Sequence, residues 1–278
     1  MESFSGKVAL ITGGASGLGR LMARKMGTRG AHAVLWDIND QALAKAAEEI
    51  RAAGGKVSTY HCNVTERETI YATAEKVRRD VGNVDILVNN AGIVNGKPFL
   101  ECSDEELRRT MEVNILSHFW TVKAFLPDMI KAKSGHLVTV ASAGGIVGSA
   151  RLVDYSASKF AAFGFDEALR AELKQQRLNI RTTVVCPFFI NTGMFAGVKT
   201  RFPFLLPILN EDDVAERIVR AVARGKERVI LPPFVYTTWP LRLVPVKVFD
   251  WVLTLLGVNN AMDAFRGRHS RNRERDSR

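Results

Sequence analysis

The sequence predicts an α/β protein in which a parallel sheet of about seven strands is covered by helices on both faces. Short apolar runs rich in Val, Ile and Leu alternate with longer stretches of helical periodicity nearly to the end of the chain. A glycine-rich turn separates the first apolar run from the first helical stretch. The 278 residues contain neither a linker nor an internal repeat, so we expect one domain over residues 1–278.

Strands are predicted where short apolar runs are bounded by Gly, Asn, Asp or Pro. In the first half of the chain these runs are KVALITGG, AHAVLWD, KVSTYHCNV and VDILVNNAG. Between them, apolar residues recur every three or four positions over 18–29, 39–53 and about 66–80. That spacing predicts three helices, each with one face turned toward the sheet.

The second half continues the same alternation. Helices over about 103–119 and onward to Lys131 precede the strand GHLVTVAS. A helix that ends near Gln176 leads into the strand NIRTTVVCPFF, and a helix over 211–223 leads into the last strand, ERVILPP. Helical crossovers cover both faces of a parallel sheet, which explains why the strands are apolar throughout.

The composition is that of an ordinary globular protein, with 46% hydrophobic and 24% charged residues. Cys62, Cys102 and Cys186 form no CxxC pair, and the five histidines have no ligand spacing. We therefore expect no metal site, reduced thiols and a cytoplasmic location. The start, MESFSGK, does not resemble a signal peptide, and no uncharged apolar run reaches the roughly 18 to 20 residues of a membrane span.

The net charge of +10 arises in part from residues 266–278, RGRHSRNRERDSR, which hold six arginines and two acidic residues. We expect this segment to be a basic, disordered tail. No aromatic residues alternate with the arginines, so nucleic acid is not an expected partner. An anionic membrane surface is the better candidate.

The glycine-rich turn, TGGASGLG over residues 12–19, predicts a dinucleotide site. Gly13, Gly17 and Gly19 allow a tight turn and a close approach of the backbone to a pyrophosphate at the start of the following helix. The motif gains specificity from its position directly after a strand and before a helix. The predicted fold is therefore a Rossmann-like, doubly wound parallel sheet.

Asp37 ends the second strand, twenty residues after Gly17. A carboxylate at this point can accept hydrogen bonds from the ribose hydroxyls of the adenosine, and it would repel a 2′-phosphate. The next residues, Ile38, Asn39 and Asp40, include no cation that could bind such a phosphate. We therefore expect NAD(H) in preference to NADP(H).

Tyr155 and Lys159 lie four residues apart in DYSASKF, on one face of a predicted helix. Such pairs are common on helix surfaces, but a fixed cation would also lower the pKa of the phenol from about 10 toward neutral pH. Ser142 ends the strand GHLVTVAS, and the carboxyl ends of parallel strands face the ligand crevice. The three side chains can therefore converge there.

In this order the motifs resemble those of the short-chain dehydrogenase/reductase family. The resemblance covers residues 7–192 and includes TGGASGLG, Asp37, NNAG at 89–92, Asn114, Ser142, YSASK and PFFINT at 187–192. It implies an NAD-dependent alcohol dehydrogenase or carbonyl reductase. Two positions depart from the usual pattern: Asn63 replaces an Asp beside the adenine, and Phe188 replaces a Gly near the nicotinamide.

The resemblance also implies roles for individual residues. Tyr155 would be the general acid/base, Lys159 would lower its pKa and hold the nicotinamide ribose, and Ser142 would bind the substrate oxygen. Asn114 would hold a water that links Lys159 to solvent. The cofactor-binding residues that it implies are Gly13, Ser16, Gly17, Leu18, Gly19, Asp37, Asn63, Val64, Asn89, Ala91, Gly92, Tyr155, Lys159, Pro187, Ile190 and Thr192.

Residues 193–210 are unusually apolar for a loop, and in this family the corresponding segment closes over the substrate. An apolar lid indicates an apolar substrate. We expect a hydroxyl or carbonyl group on a lipid-like molecule such as a retinoid, a steroid, a fatty alcohol or a glycerolipid or lysophospholipid alcohol. A lid that merely packs on the core is the alternative.

Residues 235–258 form an apolar extension in which Trp239, Phe249 and Trp251 alternate with aliphatic residues and with Lys247. The pattern predicts a helix over 245–256. Its apolar face suits either a membrane interface or packing on the same subunit or a partner, and the pattern does not distinguish these.

The C-terminal region, with INTGMF and NNAMDAFRGR, is similar to a narrower branch, the membrane-associated retinol dehydrogenases and lipid-droplet 17β-hydroxysteroid dehydrogenases. Members of that branch usually begin with a hydrophobic anchor, which this sequence does not contain. We expect peripheral membrane contact, if any, through the C-terminal region, and the family implies a homodimer or homotetramer. Two other functions stay open: a reductase of small or acyl-thioester ketones, and a non-catalytic, NAD-bound signalling protein at a membrane.

Overall fold

A seven-stranded parallel sheet forms the centre of the protein in the computed structural model, which describes residues 3–267. The strands are β1 Val8–Thr12, β2 His32–Asp37, β3 Lys56–His61, β4 Ile86–Asn89, β5 Gly135–Val140, β6 Ile180–Pro187 and β7 Arg228–Leu231. Their spatial order is β3-β2-β1-β4-β5-β6-β7, and every neighbouring pair is parallel. The predicted Rossmann-like α/β fold is therefore confirmed.

Nine α-helices are present among residues 3–267. They are α1 Gly17–Gly27, α2 Asp40–Ala52, α3 Arg67–Asp80, α4 Asp104–Met111, α5 Ser117–Lys131, α6 Val153–Gln175, α7 Glu211–Ala223, α8 Thr238–Leu241 and α9 Val246–Leu255. Helices α1, α2, α3 and α7 lie within one or two residues of the predicted bounds, and α6 ends within one residue of its predicted end. The largest difference is at the predicted helix over 103–119, which the structure divides.

A π-helical turn over Glu112–Leu116 joins α4 to α5, and the sequence does not predict it. Asn114 lies in this turn and is completely buried. Turns of this kind are rare inside α-helices and occur often at functional sites. The local change of helical geometry thus coincides with one of the predicted site residues.

Both faces of the sheet are covered, which explains the apolar strands. Along β1, Ala9 and Ile11 belong to the layer with α1, α2 and α7, whereas Leu10 belongs to the layer with α3, α5 and α6. Successive side chains of a strand point to opposite faces, so a central strand such as β1 carries apolar residues that face both layers.

The strand order reverses between β1 and β4. From β1 the chain moves outward through β2 and β3, and then returns to pair β4 with the other edge of β1. The connections that follow β1 and β4 therefore diverge and open a crevice at the carboxyl ends of the strands. The glycine-rich turn lies at one side of this crevice.

The C-terminal extension packs on its own subunit, which was one of the two expectations for residues 235–258. Leu253 of α9 is buried in an apolar cluster with Val184 of β6 and Ile230 of β7. Trp251, on the opposite face of the same helix, is exposed, and so is Val246 in its first turn. None of the helices within residues 3–267 has both the length and the apolar character needed to cross a bilayer.

Candidate active site

A cavity of about 780 Å³ follows the carboxyl ends of the strands and continues beneath the C-terminal extension. Fourteen of the predicted site residues line it: Gly13, Ser16, Leu18, Asp37, Asn63, Val64, Ala91, Gly92, Ser142, Tyr155, Lys159, Pro187, Ile190 and Thr192. The other four, Gly17, Gly19, Asn89 and Asn114, do not line it. The structure thus brings residues from most of the chain to one cleft.

The glycine-rich turn leaves the backbone open toward the cavity. Gly13 has a φ of +61°, and a methyl group there would lie 3.0 Å from the Cα of Ala91. Gly19 instead packs inward, where a methyl group would lie 2.6 Å from Nδ2 of Asn90 and would overlap the carbonyl of Gly13. Gly13 therefore allows the turn to lie against Ala91 while it lines the cavity, and Gly19 allows α1 to pack against the turn.

Asn89 is placed differently from the prediction, because its side chain faces the interior rather than the cofactor side of the sheet. Its Oδ1 accepts a hydrogen bond of 2.7 Å from Thr121 of α5. The next residue, Asn90, lines the cavity and donates through Nδ2 to the carbonyl oxygens of Thr12 (2.9 Å) and Gly13 (3.2 Å). Asn90 was missed although it belongs to the same NNAG motif, because strand alternation decides which of the two asparagines faces the cleft.

The carboxylate of Asp37 is fixed at the edge of the cavity. One oxygen accepts from the backbone N–H of Ala15 at 3.1 Å, and the other accepts from the N–H of Asn39 at 3.2 Å. Asn39, not Asp37, caps α2, since its Oδ1 accepts from the N–H of Ala42 at 2.9 Å. Each carboxylate oxygen of Asp37 thus keeps further acceptor capacity toward the cavity.

Asn63 and Val64 form the wall beside Asp37. The side chain of Asn63 is engaged locally: Nδ2 donates to Glu66 at 2.7 Å, and Oδ1 accepts from the hydroxyl of Thr65 at 2.9 Å. Val64 is buried and apolar. The surface is therefore a fixed, largely apolar one that suits the face of a planar ring.

Ser142, Tyr155 and Lys159 converge in the middle of the cavity. The ammonium of Lys159 lies 5.8 Å from the centre of the Tyr155 ring and donates to the carbonyl of Val140 at 2.8 Å. The hydroxyl of Ser142 donates to the carbonyl of Pro187 at 3.4 Å and accepts from the N–H of Gly144 at 3.0 Å. Strand β5 and helix α6 together hold the three groups.

The pKa of Tyr155 is shifted in the direction opposite to the prediction. Burial raises the pKa of its phenol to about 12, against a smaller lowering by the hydrogen bond with Ser142. Burial also lowers the pKa of Lys159 to about 8, so the ammonium itself is disfavoured here. Because desolvation dominates both groups, the protein alone holds Tyr155 as a neutral proton donor.

Asn114 lies behind Lys159 rather than on the cavity wall. Its Oδ1 accepts from the N–H of Ile93 at 2.8 Å, and its Nδ2 donates to the carbonyl of Ile93 and to the hydroxyl of Ser158, both at 3.0 Å. A methyl group on Gly92 would lie 3.5 Å from both Oδ1 of Asn114 and Nζ of Lys159. Gly92 is thus the residue that separates the amide from the ammonium.

The far end of the cavity is apolar. Its walls combine the segment after β6, the predicted lid and the C-terminal extension, through Phe188, Phe189, Met194, Phe195, Leu206, Phe234, Leu241, Leu253 and Leu256. Leu253 and Leu256 were not assigned to the site from the sequence, although their three-residue spacing puts them on one face of a helix. That spacing identifies a buried face but does not say what the face encloses.

A Rossmann-type crevice with a buried tyrosine and lysine beside it is characteristic of NAD(P)-dependent oxidoreductases. The family model for short chain dehydrogenases matches residues 7–201, and the chain belongs to this family.

Comparison with known proteins gives relatives over almost the whole chain. Short-chain dehydrogenase/reductase family 16C member 6 of Bos taurus is 44% identical over 95% of this chain and 84% of its own length. Epidermal retinol dehydrogenase 2 of Homo sapiens is also 44% identical, over 95% of this chain and 86% of its own. These similarities agree with the branch that the C-terminal region resembles.

Solved structures include similar proteins with both forms of the cofactor. A short-chain dehydrogenase/reductase from Burkholderia phymatum in complex with NAD has a TM-score of 0.80 and 28% identity, over 89% of this chain and 96% of its own. A metagenomic short-chain oxidoreductase in complex with NADP has a TM-score of 0.70 and 30% identity, over 83% of this chain and 98% of its own. The fold therefore binds NAD(P), and these neighbours do not decide between the two.

Proposed function

We propose that the protein interconverts a hydroxyl and a carbonyl group on a lipid-like substrate and prefers NAD(H) to NADP(H). One observation supports this most directly: a single cavity extends from Gly13 and Asp37, past Tyr155, to an apolar wall that includes Leu256. The first part suits a dinucleotide, and the second suits an apolar molecule. The reacting carbon of the substrate would lie where the two parts meet.

Tyr155 would move the proton. In the oxidative direction its phenolate accepts the proton of the substrate hydroxyl as the carbonyl forms, and in the reductive direction the phenol donates it. Ser142 would donate a hydrogen bond to the same substrate oxygen, where negative charge develops. The bound nicotinamide supplies the hydride chemistry and, when oxidised, a positive charge that favours the phenolate.

Lys159 and Asn114 would support this proton transfer. The ammonium of Lys159 lines the cavity beside Tyr155 and can also donate to hydroxyl groups of a bound ribose. Asn114 is fixed behind Gly92 and would orient a water between its amide and Lys159. Such a water would connect the buried ammonium to the outside without opening the cleft.

The residues present fit a dinucleotide. The open backbone at Gly13 and the start of α1 would hold the pyrophosphate, and Asp37 would accept from the adenosine ribose. Asn63, Val64, Ala91 and Gly92 would contact the adenosine side, and Pro187, Ile190 and Thr192 would contact the nicotinamide side. Asp37 favours NAD, because a 2′-phosphate beside its carboxylate would be repelled.

The substrate would be a long, apolar alcohol or the corresponding carbonyl compound. The wall beyond Tyr155 is formed mainly by phenylalanine, leucine and methionine side chains, which desolvate apolar molecules well. The similarity to a human protein named a retinol dehydrogenase supports the same class. Retinoids, steroids, fatty alcohols and glycerolipid or lysophospholipid alcohols all fit this description.

Helix α9 would also bring the site to a membrane surface. Its inner face lines the cavity through Leu253, while Trp251 on the outer face is 63% exposed and Val246 in the first turn is 74% exposed. Lys247 adds a basic group suited to anionic headgroups. A lipid-like substrate could then enter the cavity beside the surface that supplies it. The predicted basic tail over 266–278 lies almost entirely outside the described residues.

A second exposed apolar surface would serve self-association. Leu116 and Phe119 at the start of α5, and Phe160 on α6, are each about 40% exposed. Helix faces of this type pair in oligomers of many proteins. A homodimer or homotetramer would give a mass of two or four times 30.8 kDa by light scattering.

The proposed activity is tested by NADH formation from NAD with a detergent-dispersed panel of retinol, a hydroxysteroid, long-chain alcohols, a monoacylglycerol and short secondary alcohols. Tyr155→Phe is the control. Turnover of lipid-like alcohols that is lost in the control is the expected result. Consumption of NADH with small or acyl-thioester ketones, without turnover of the lipid-like alcohols, would favour the reductase. NAD binding without turnover of any compound in either direction would favour the non-catalytic signalling protein.

A further inference from the structure

Phe195 covers the ring of Tyr155. The two ring centres are 5.7 Å apart, and the planes are nearly perpendicular, at 83°. Phe189 supports Phe195 from the side, with ring centres 5.1 Å apart. Edge-to-face pairs of this kind are stabilising and exclude water from the ring they cover. The predicted lid therefore touches the proposed acid/base directly.

The end of the described chain holds the lid in this position. Residues 261–267, which we call the C-terminal strap, pair with the lid through two strong backbone hydrogen bonds. The N–H of Arg266 donates to the carbonyl of Ala196 at 2.8 Å, and the N–H of Lys199 donates to the carbonyl of Ala261 at 3.2 Å. The strap also places the ring of Phe265 behind Phe195, with ring centres 6.4 Å apart.

The ring of Phe265 packs on Gly96 at the other side of the cleft, and we call this contact its seat. Gly96 lies under its ring, and a methyl group on Gly96 would overlap ring atoms of Phe265. Gly96 also has a φ of +68°, which favours glycine. The segment that contains Gly96 begins at Ile93, which the side chain of Asn114 binds at both backbone groups. The strap thus bridges the lid and a rigid part of the site.

The strap and Tyr155 share one apolar cluster. Its buried members are Leu152, Tyr155, Phe189, Val198, Ala261 and Met262, with Phe195 and Phe265 packed against them. Separate parts of the chain contribute to this cluster. The lid has no helix or strand of its own: its later part is held by the bridge of Leu209 with Ile190 and by burial of Leu206, and its part around Phe195 meets the strap. Closure of the lid over Tyr155 therefore depends on contacts from the strap.

We propose that Phe265 is a positioning residue: seated on Gly96, it holds Phe195 against Tyr155 and so keeps water away from the phenol. The proposal deepens the proposed function, since it concerns the group that would transfer the proton. It assigns the C-terminal strap to the active site. Loss of the seat would open the lid without removing any group that touches the substrate oxygen.

The variant Gly96→Ala tests this without removing an aromatic ring, because the added methyl group displaces Phe265 from its seat. Phe265→Ala removes the ring itself. Gly54→Ala is the matched control: Gly54 also has a positive φ, +80°, but no atom lies within 4 Å of an added methyl group. The backbone strain of an alanine at positive φ is therefore present in the control, whereas the displacement of the ring is not.

Hydrogen exchange of the protein without cofactor or substrate gives the first readout. The amides of Lys199 and Arg266 are hydrogen-bonded across the lid and strap, so they report detachment directly. We expect their exchange to become at least about tenfold faster in Gly96→Ala and Phe265→Ala, and unchanged in Gly54→Ala. Equal exchange in all four proteins would show that Phe265 does not hold the lid.

Titration of Tyr155 gives the second readout, again without turnover. Phenolate absorbance is measured for each protein, and that of the same protein carrying Tyr155→Phe is subtracted. Because burial raises the pKa of Tyr155 to about 12, opening the lid should lower it toward the ordinary value of about 10. We expect a larger phenolate signal near pH 11 in Gly96→Ala and Phe265→Ala than in the wild type and Gly54→Ala.

The two readouts separate the outcomes. Faster lid exchange with an unchanged Tyr155 titration would make Phe265 a merely structural residue and overturn the proposal. If the wild type oxidises none of the alcohols while both readouts change as expected, the proposed function fails and the positioning of Tyr155 by the strap stands. Where turnover is measurable, kcat/KM for oxidation increases with pH as Tyr155 loses its proton. This increase should occur at a lower pH in Gly96→Ala and Phe265→Ala than in the wild type.

Discussion

The ammonium of Lys159 donates a hydrogen bond to the carbonyl of Val140, the last residue of β5, at 2.8 Å. Val140 precedes Ser142 by two residues, so this contact ties helix α6 to the strand end that carries the serine. Only 3% of Lys159 is exposed, and its burial lowers the pKa of the ammonium to about 8. A cation is thus held where desolvation acts against it, which is characteristic of functional sites.

Lys159→Met should therefore stabilise the fold while it removes activity. The folded-state pKa lies below the unfolded-state value of 10.5, so the unfolded chain binds more protons between about pH 8 and 10.5, and the full penalty applies at pH 7. We expect the free energy of unfolding at pH 7 to rise by roughly 1–3 kcal/mol. Alcohol oxidation should fall by about 100-fold or more.

Urea unfolding at pH 7 and NADH formation measure the two effects. Lys174→Met, at an exposed position of the same helix, is the control and should change neither. A loss of stability in Lys159→Met would mean that its hydrogen bond to Val140 outweighs the desolvation.

Asp37→Ala should relax the discrimination between the two cofactors. The substitution removes the carboxylate that would repel a 2′-phosphate, and Arg108 and Arg109 of α4 line the same cavity. We expect the ratio of kcat/KM for NAD to that for NADP to fall by about tenfold or more, a difference of about 1.4 kcal/mol. Asp40→Ala, three residues further on and exposed, should leave the ratio unchanged. An unaltered ratio in Asp37→Ala would contradict the assigned preference for NAD.

Asn114→Leu should destabilise the protein strongly. It removes the partner of the N–H and the carbonyl of Ile93, which are partly buried, and one hydrogen bond of Ser158, whose hydroxyl still donates to the carbonyl of Tyr155. We expect the free energy of unfolding to fall by roughly 2–4 kcal/mol, since each unsatisfied buried group costs about 1–3 kcal/mol. Ser158→Ala removes only one of these hydrogen bonds and should cost about 1 kcal/mol. Both variants are compared by denaturant unfolding. An equal loss in the free energy of unfolding would argue against a stabilising role of the two hydrogen bonds between Asn114 and Ile93.

Asp166→Asn should change the pH dependence of stability. Burial of Asp166 on α6, beside Thr182 at 3.3 Å, raises the pKa of its carboxyl to about 6 from 3.8. Between these two pKa values the folded state holds a proton that the unfolded state releases. The free energy of unfolding of the wild type therefore falls as the pH rises from about 4 to 6, and it remains at the lower value above pH 6. The variant should be more stable by about 2 kcal/mol at pH 8, with no advantage near pH 3. A constant difference in Tm across this range would exclude Asp166 as the cause.

The two faces of α9 should respond differently to substitution. Leu253→Ala removes a buried side chain and should lower the free energy of unfolding by about 2–4 kcal/mol. Trp251→Ser, on the exposed face, should leave stability nearly unchanged but weaken sedimentation with anionic vesicles several-fold. Vesicles of zwitterionic lipid serve as the comparison. Binding that is insensitive to Trp251→Ser would remove the proposed membrane contact from this face.

The sheet and most of the cleft follow from the sequence because their signals are local. The run VALIT, the turn with Gly13 and the carboxylate of Asp37 each depend on residues adjacent in the chain. The different placements of the Asn89 and Asn90 side chains could not be predicted, because neighbouring residues point to opposite faces and only the register of β4 decides between them. The raised pKa of Tyr155 could not be predicted, because burial, its largest cause, depends on segments that are distant in the chain.

The contribution of residues 261–267 could not be predicted for the same reason. Phe265 meets Gly96 across more than 160 residues of chain, and the run NNAMDAFRGR that contains Phe265 does not indicate this contact. The π-helical turn at Asn114 likewise has no composition that distinguishes it from the helices on either side. Such features arise from the packing of the complete fold rather than from local propensity.

The position of the strap after every strand of the sheet also has a consequence for biosynthesis. On the ribosome, the strands and the glycine-rich turn emerge well before Phe265, so the nascent protein can form its sheet while the lid is still unsupported. During that interval Phe195 and its aromatic neighbours are exposed to solvent and to other nascent chains. A chain released just before residue 261 would therefore keep the sheet but leave an adhesive apolar opening, a form that chaperones and proteases recognise.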